Sequence, residues 1–327
     1  MKINFLGDVY IDRVYAIDLE VNDYIFNMEY PLSTSGIPAK GKVNLGVDVS
    51  YIKESFSGNL PLAVNLANNH IMDYGEESYK DTILFLEKNN ILYFGAGNKA
   101  NNFNNPCLIK QNEKKISLLG YCCSSTCPIF GGVVDNGSAP LNLDLIKKDI
   151  EEQKKNSDFI IVNLHWGDEE ISYPKPLDMA KARKIIDMGA DLIIGHHAHA
   201  IQSIEVYKGK YIFYGLGNFL FPNLNAPAGY DGDVFTHTYN KIQNSKNRKS
   251  IIIELDDNQN ISHKTTYFDD KKVVLKEANI PKWLPKSERV YANYRKVWLR
   301  MRMLELYFNN PRIPTLKQLK LFLGIKV

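Results

Sequence analysis

The chain is predicted to fold as a layered α/β protein with mixed sheets, and three observations point there. Through its middle, strand-like apolar runs alternate with amphipathic helical stretches. Elsewhere such runs face each other across short polar turns, as hairpins do. The residues that carry chemistry gather where apolar runs end, which is where open α/β sheets collect their sites. The densest of these points is Gly195-His196-His197-Ala198-His199, directly after the apolar run at 190–194.

The elements follow in order. Residues 2–8 and 21–30 read as strands, the second stopped by Pro31, and 62–67 reads as a third that runs into Asn68-Asn69-His70. Residues 76–89 carry Tyr79, Ile83, Leu84 and Leu86 near helical spacing, and 91–94 returns as a strand. Residues 107–110 and 116–122 flank a polar turn as a hairpin. A charged amphipathic helix at 141–155 leads to a strand at 159–164, and a helix at 177–188, closed by Gly189, leads to a strand at 192–194. Hairpins follow at 204–207 with 211–214 and at 251–255 with 265–268. Residues 222–249, polar and rich in Asn, Gly and Tyr, read as a long surface loop of the kind that often serves as a lid. From about Pro281 the composition shifts to Lys, Arg and large apolar residues. A helix bearing Trp298, Met301, Leu304, Leu306 and Phe308 is expected to pack on the main domain, with a short basic helix at 316–323 behind it. The alternative is a basic amphipathic segment in peripheral contact with an anionic membrane.

Composition narrows the function classes. A net charge of +3 is too small to argue for nucleic acid, so none is expected as a partner. The opening residues carry no signal-peptide pattern, and no run approaches the roughly 18 apolar residues of a spanning helix, so a cytoplasmic protein is expected. Cys122, Cys123 and Cys127 crowd together and Cys107 stands apart, a poor zinc pattern, and the four are read as reduced thiols.

Five segments end an apolar run in residues able to hold a metal. They are Gly7-Asp8; Asn27-Met28-Glu29; Asn68-Asn69-His70 with Asp73; His165-Trp166-Gly167; and the cluster at 195–199. Hard oxygen mixed with imidazole nitrogen, without thiolate, suits Mn, Fe or Zn in a non-structural site. A two-metal centre needs a bridging carboxylate and several further ligands on ions ~3.5–4 Å apart, and the inventory is large enough. Asp8 and Glu29 would be costly to bury unpaired, so a metal or a basic partner is expected. Strand alternation puts His197 and His199 on one side and His196 on the other, in a supporting role. Asn68 reads as the cap of the helix that begins near Asp73, and Asp73 either orients His70 or caps that helix itself. His237 and His263 read as surface residues.

In this order and spacing the segments resemble the capsule-synthesis protein family, CapA-type or PgsA-type, named for poly-γ-glutamate capsule formation and part of the calcineurin-like metallophosphoesterase superfamily. The family motifs are an early Gly-Asp, an Asn-Leu-Glu, an Ala-Asn-Asn-His with a following Asp-x-Gly, a His-Trp-Gly and a Gly-His-His-Pro-His. A Leu-Gly-Asn-Phe is matched by Leu216-Gly217-Asn218-Phe219. Met28 and Ala198 are the mild departures. The resemblance covers about residues 3–221 and implies a four-layer αββα sandwich, metallo-dependent phosphatase-like. We divide the chain into such a domain over 1–270 and a C-terminal helical extension over 271–327.

The resemblance also implies two divalent ions (Mn, Fe or Zn). Asp8 would bind one, Asn69 and His165 the other, Glu29 would stand for the bridging aspartate, and His197 and His199 would serve one ion each. His70 matches the catalytic histidine, with Asp73 beside it. Asn27, Asn68, Trp166, His196 and Asn218 are expected as supporting or pocket residues. The superfamily begins Asp-x-His, but Val9 and Tyr10 follow Asp8, so the first metal lacks its usual imidazole. The implied activity is a metal-dependent hydrolase, a phosphomonoesterase or phosphodiesterase using a bridging hydroxide, in capsule or exopolysaccharide biosynthesis on a phosphorylated or polymeric cell-envelope substrate. Amide hydrolysis or transfer on poly-γ-glutamate, and a non-catalytic metal-bound scaffold of a polymer-synthesis complex, stay open.

Overall fold

Successive residues of the central strands enter different cores. In the computed structural model, which describes residues 2–131, 135–232 and 234–309 with the side chains of 306–309 set aside, Phe5 and Leu6 of strand Ile3–Val9 belong to separate apolar clusters. Ile25 and Phe26 of strand Tyr24–Met28 divide the same way. In strand Phe159–His165, Ile161 joins the cluster of Phe5, whereas Ile160 and Val162 face a third. The shared cluster is therefore the layer between two sheets. The outer clusters take Tyr79 and Leu86 from helix Gly75–Lys88 on one side. On the other they take Ile146 and Ile150 from helix Leu143–Gln153 and Met179 and Ile185 from helix Pro176–Met188. The architecture is the four-layer αββα sandwich that the resemblance implies. Strands buried on both faces explain why 159–164 and 192–194 are continuous apolar runs rather than alternating ones.

Among the described residues one sheet has nine strands and the other six. Ile3–Val9, Tyr24–Met28, Ala63–Asn65 and Leu92–Phe94 run parallel in the first, and Lys114–Cys122, Phe159–His165, Leu192–His196 and Lys210–Phe213 run parallel in the second. Parallel strands bring their C-terminal ends to one edge. Asp8 stands beside Asn27 and Asn218, Asn27 beside Asn65, and His165 beside Cys122 and His196. The register slips around Asp8, a bulge that re-aims the side chain at the strand's end.

Helix ends follow from local chemistry. Asn142 caps Leu143–Gln153 by accepting from the backbone N–H of Asp144 and Leu145, and Gly189, at φ 117°, closes Pro176–Met188. The hairpins expected around 111–115, 208–210 and 256–264 are present and antiparallel. The segment 222–249 is not a loop: Leu224–Tyr230 and Phe235–Lys241 form a two-stranded hairpin. Its second strand is largely exposed and polar, so it lacks the apolar alternation that betrays a strand. Strand Lys272–Leu275 pairs with Ile261–Phe268, so the large sheet runs past residue 270. The four cysteines are free thiols.

The C-terminal helix, Glu288–Asn309, meets the body through buried Tyr291 and through Tyr294, whose ring lies 5.2 Å from that of Tyr173. The expected packing face is corrected in part. Met301, 62% exposed, and Leu304 point to solvent because the contacting stripe runs through Tyr291, Tyr294, Arg295 and Arg302 instead. The side chains of Leu306 and Phe308 and the helix expected at 316–323 lie outside the described residues. Among the described residues no helix is long and apolar enough to cross a membrane.

Asp178, in the first turn of Pro176–Met188, is buried, and burial outweighs Lys175 and Lys181 to push its carboxyl up to about 6. The unfolded chain therefore loses this proton first, and stability falls as pH rises from about 4 to about 6. Asp178→Asn should flatten that part of a melting-temperature-versus-pH curve and stabilise the chain above pH 6, by at most about 3 kcal/mol.

Candidate metal centre

The second sheet delivers its histidines at a strand end that breaks. Leu192–His196 stops at His196, and His197 and His199 then adopt left-handed backbone, at φ 80° and 50°. Such conformations cost on the order of 1–3 kcal/mol each and persist where the surroundings over-determine them. The break changes where the imidazoles go. Strand alternation would put His196 on the side opposite His197 and His199, but the break brings all three to one side; His196 Nδ1 lies 3.1 Å from Asp8 Oδ1 and its Nε2 3.3 Å from Asn163 Oδ1. With both ring nitrogens taken, His196 holds Asp8 in place.

Glu29 is the centre of the cluster. His165 Nε2 and His199 Nε2 each lie 3.6 Å from Glu29 Oε1, and His199 Nδ1 lies 3.5 Å from Asp8 Oδ2. Ligand atoms of Glu29, His165 and His197 lie within 4.8 Å of one another, and so do those of Asp8, Glu29 and His199. Two candidate sets thus share one carboxylate. Glu29 is wholly buried, yet neither of its oxygens has a hydrogen-bond partner among the described residues, and His197 Nδ1 is buried and unpartnered too. A carboxylate buried without partners costs several kcal/mol. A divalent ion would satisfy both groups, and carboxylate, amide and imidazole donors suit one.

The protonation pattern has clear causes. Burial, reinforced by the charge of Asp8, holds the Glu29 carboxyl well above its ordinary range. Burial works on Asp8 in the same direction, but the His196 hydrogen bond and the charges of His196 and His199 outweigh it and hold Asp8 low. Burial and the neighbouring imidazoles hold His165 well below its ordinary value. Burial likewise brings His197 down to about 4. Neutral imidazole is the form that offers a lone pair to an ion.

The supporting residues lock these side chains. Asn27 Nδ2 donates to Asp8 Oδ1 at 2.9 Å, and Asn69 Oδ1 accepts from His165 Nε2 at 2.8 Å. Asn218 Oδ1 accepts from His199 Nδ1 at 2.8 Å, which leaves Nε2 directed toward Glu29. Asn68 Oδ1 accepts from the backbone N–H of His70 and Ile71, so it caps the turn after it and not the helix, which begins at Gly75 behind an uncapped Tyr74. Asp73 likewise is no helix cap. It sits 2.6 Å from His70 Nδ1, while Lys42 Nζ, 2.6 Å from its other oxygen, and the Leu45 N–H hold it. Trp166 is corrected: it follows His165 onto the opposite face, where it donates to the Tyr214 carbonyl and packs in the outer core rather than lining a pocket. His237 and His263 are exposed, as expected.

The cleft over the cluster is lined by Lys42, His70, Glu169, His199, Tyr239 and Lys241, among others. Lys42, Glu169 and Lys241 were not legible in the sequence. Lys42 lies in an irregular segment and Lys241 ends the polar hairpin read as a loop; Glu169, four residues after His165, carried the one available signal. His70 Nδ1 is committed to Asp73, and burial outweighs that carboxylate to keep the ring's affinity for a second proton below the usual.

The description "Bacterial capsule synthesis protein PGA_cap" belongs to a family whose sequence profile matches residues 17–223. The chain belongs to that family. Within its span lie Glu29, Asn69, His165, His197 and His199; Asp8 and the C-terminal helix fall outside it. The capsule biosynthesis protein CapA of Bacillus anthracis is 33% identical over 227 residues, 67% of this chain and 55% of that protein. The PGA biosynthesis protein CapA of Bacillus subtilis (strain 168) is 38% identical over 159 residues, 48% of this chain and 42% of that protein. The chain spans about half the length of the curated relatives it matches. Among solved structures, a novel phosphatase of Mycoplasma pneumoniae aligns over 84% of this chain and 93% of its own, at 13% identity and a TM-score of 0.47. A 5'-nucleotidase precursor of Thermus thermophilus aligns over 92% and 60%, at 13% identity and a TM-score of 0.43.

The PGA_cap histidine cluster depends on the glycine before it. A Cβ on Gly195 would lie 1.9 Å from the Tyr214 carbonyl oxygen and 2.9 Å from Trp166 Nε1. Backbone cannot yield cheaply, so Gly195→Ala should destabilise the fold by about 1–3 kcal/mol, read from denaturant unfolding. Unfolding indistinguishable from the parent chain would mean that the strand end is looser than this contact implies.

Proposed function

We propose that this PGA_cap chain is a metal-dependent hydrolase of phosphomonoesters or phosphodiesters that works with two divalent ions, Mn, Fe or Zn. The observation that carries the reading is Glu29, buried, without a hydrogen bond to either oxygen among the described residues and shared between two ligand sets. Asp8, Glu29 and His199 would hold one ion, and Glu29, Asn69, His165 and His197 the other. Ions bound there supply Lewis acidity to a phosphoryl oxygen and make water acidic enough to react near neutral pH.

The chain's own residues do the rest. His70, its Nδ1 held by Asp73, presents Nε2 to move a proton toward the leaving oxygen, a role worth typically 10²–10⁴ in rate. Lys42 holds Asp73 and keeps the imidazole's orientation fixed. Lys42 and Lys241 also bring positive charge to the rim of the cleft, which favours an anionic substrate. The names of the Bacillus relatives support a role in capsule or exopolysaccharide biosynthesis, on a phosphorylated or polymeric cell-envelope substrate rather than nucleic acid. "PGA biosynthesis" in one of those names favours a second reading, amide hydrolysis or transfer on poly-γ-glutamate at the same centre. The reading extends to a cytoplasmic protein in peripheral contact with anionic lipid. Exposed Val290, Val297 and Met301 beside Lys296 and Arg300 on the C-terminal helix support that contact.

Metal-reconstituted protein should hydrolyse members of a chromogenic phosphomonoester and phosphodiester panel and leave γ-glutamyl peptides intact; the reverse selects the amide reading, and neither activity selects a scaffold. His197→Ala and His199→Ala should each lower metal content by elemental analysis. His70→Ala should keep metal content and lose 10²-fold or more in kcat. Loss of metal from His70→Ala would show that the division between ligand and proton carrier is wrong. Replacing Val297 and Met301 together by serine should reduce cosedimentation with phosphatidylglycerol vesicles, and undiminished cosedimentation would remove the lipid contact from the reading.

A further inference from the structure

The loop that follows His165 is braced from both ends. Asp168 Oδ2 accepts from Tyr291 Oη at 2.9 Å and from Arg295 Nε at 3.0 Å, and Lys175 Nζ lies 2.9 Å from its other oxygen. Glu170 is held by Lys241 at 3.0 Å, by Arg302 Nε at 3.3 Å and by Asn247 Nδ2 at 3.3 Å. Its backbone N–H donates to the Ala198 carbonyl at 2.7 Å, which ties the loop to the histidine segment itself. Tyr291, Arg295 and Arg302 all belong to the C-terminal helix.

Between the two braced acids stands Glu169. A carboxylate oxygen of Glu169, a ring nitrogen of His197 and one of His199 lie within 4.8 Å of one another. Lys241 Nζ, 3.6 Å away, is the cation facing Glu169. His197, 6% exposed, contributes a ring nitrogen to this group, and its Nδ1 is buried without a hydrogen-bond partner, so the acid is not alone in facing the place. The bracing has a physical rationale. A half-exposed glutamate loses side-chain entropy when it is fixed, and pinning its neighbours reduces how much the backbone must still give up on binding.

We propose that Glu169 is a ligand of the ion held by His199 on the Asp8 side, with His197 adjoining, and that the C-terminal helix fixes it there through Asp168 and Glu170. This rests on the two-ion reading of the centre and goes beyond it. It brings a carboxylate to the Asp8 side from the loop after His165, and it makes a helix outside the PGA_cap match part of the metal site. Arg295 and Arg302 are positioning residues.

The test is a titration of metal-stripped full-length chain with Co(II), followed by ligand-field absorption and by elemental analysis after gel filtration. The parent chain should bind two equivalents. Glu169→Gln should retain one tight equivalent, bind the second at least ten-fold more weakly and change the absorption of that site, while Glu169→Asp restores part of the affinity. Arg295→Ala combined with Arg302→Ala should weaken the same equivalent up to about ten-fold while leaving its absorption envelope unchanged, as expected when a support and not a ligand is lost. Arg289→Ala, at an exposed position of the same helix, should titrate like the parent. If the parent binds two ions and Glu169→Gln titrates and absorbs identically, Glu169 is no ligand and the inference falls while the two-ion reading stands. A parent chain that binds no metal overturns both.

Discussion

Everything in this structure turns on keeping two carboxylates, Asp8 and Glu29, in a place where water does not reach. They lie side by side at the ends of adjacent parallel strands, wholly buried, at an edge where four other strand ends bring amides and imidazoles. Asp8 is compensated within the chain by His196, Asn27 and the His197 N–H. Glu29 is not: it is buried beside a negative neighbour with no hydrogen bond to either oxygen among the described residues. A chain that needed only a stable sandwich would place an apolar residue there. The sandwich is better understood as the frame that makes the imbalance tolerable, and a divalent ion, as proposed above, would resolve it.

The frame is simple to build because both sheets are buried on two faces. Each central strand feeds one row of side chains to the layer between the sheets and the next row to a helix layer, so the runs at 159–164 and 192–194 are readable as strands from sequence. The same logic makes the site legible. Polar residues directly after such runs must lie at a strand end, and parallel pairing brings those ends to one edge. That reasoning groups Asp8, Glu29, Asn69, His70, His165, His197 and His199 without any distance. Helices at 76–89 and 177–188 are legible from apolar spacing and, in the second, from the glycine that ends it.

What is not legible has physical causes too. Alternation separates His197 and His199 from His196 because it assumes a regular strand, whereas the break after His196 turns them back to its side. Alternation, applied to His165 and Trp166, would have excluded the tryptophan from the pocket, since consecutive residues at a strand end face opposite layers. Lys42 and Lys241 come from an irregular segment and from a hairpin whose polar strands bury little, so no pattern announces them. The C-terminal helix is legible as a helix but not in its facing, because its contacts are largely hydroxyl and guanidinium groups on acids rather than an apolar stripe.

The left-handed backbone at His197 and His199 has a consequence for how such a chain can change. Glycine would adopt either conformation without a Cβ penalty, and asparagine would tolerate it better than histidine does. Drift at these two positions is therefore downhill in conformational energy and uphill in chemistry: the substitutions that relax the chain are the ones that erase its donors. Imidazole at these positions is kept against a bias of the backbone toward losing it, which fits the metal-binding role proposed above. Descendants freed from that role would be expected to shed these histidines early, keeping the sandwich and gaining robustness to heat as they do so.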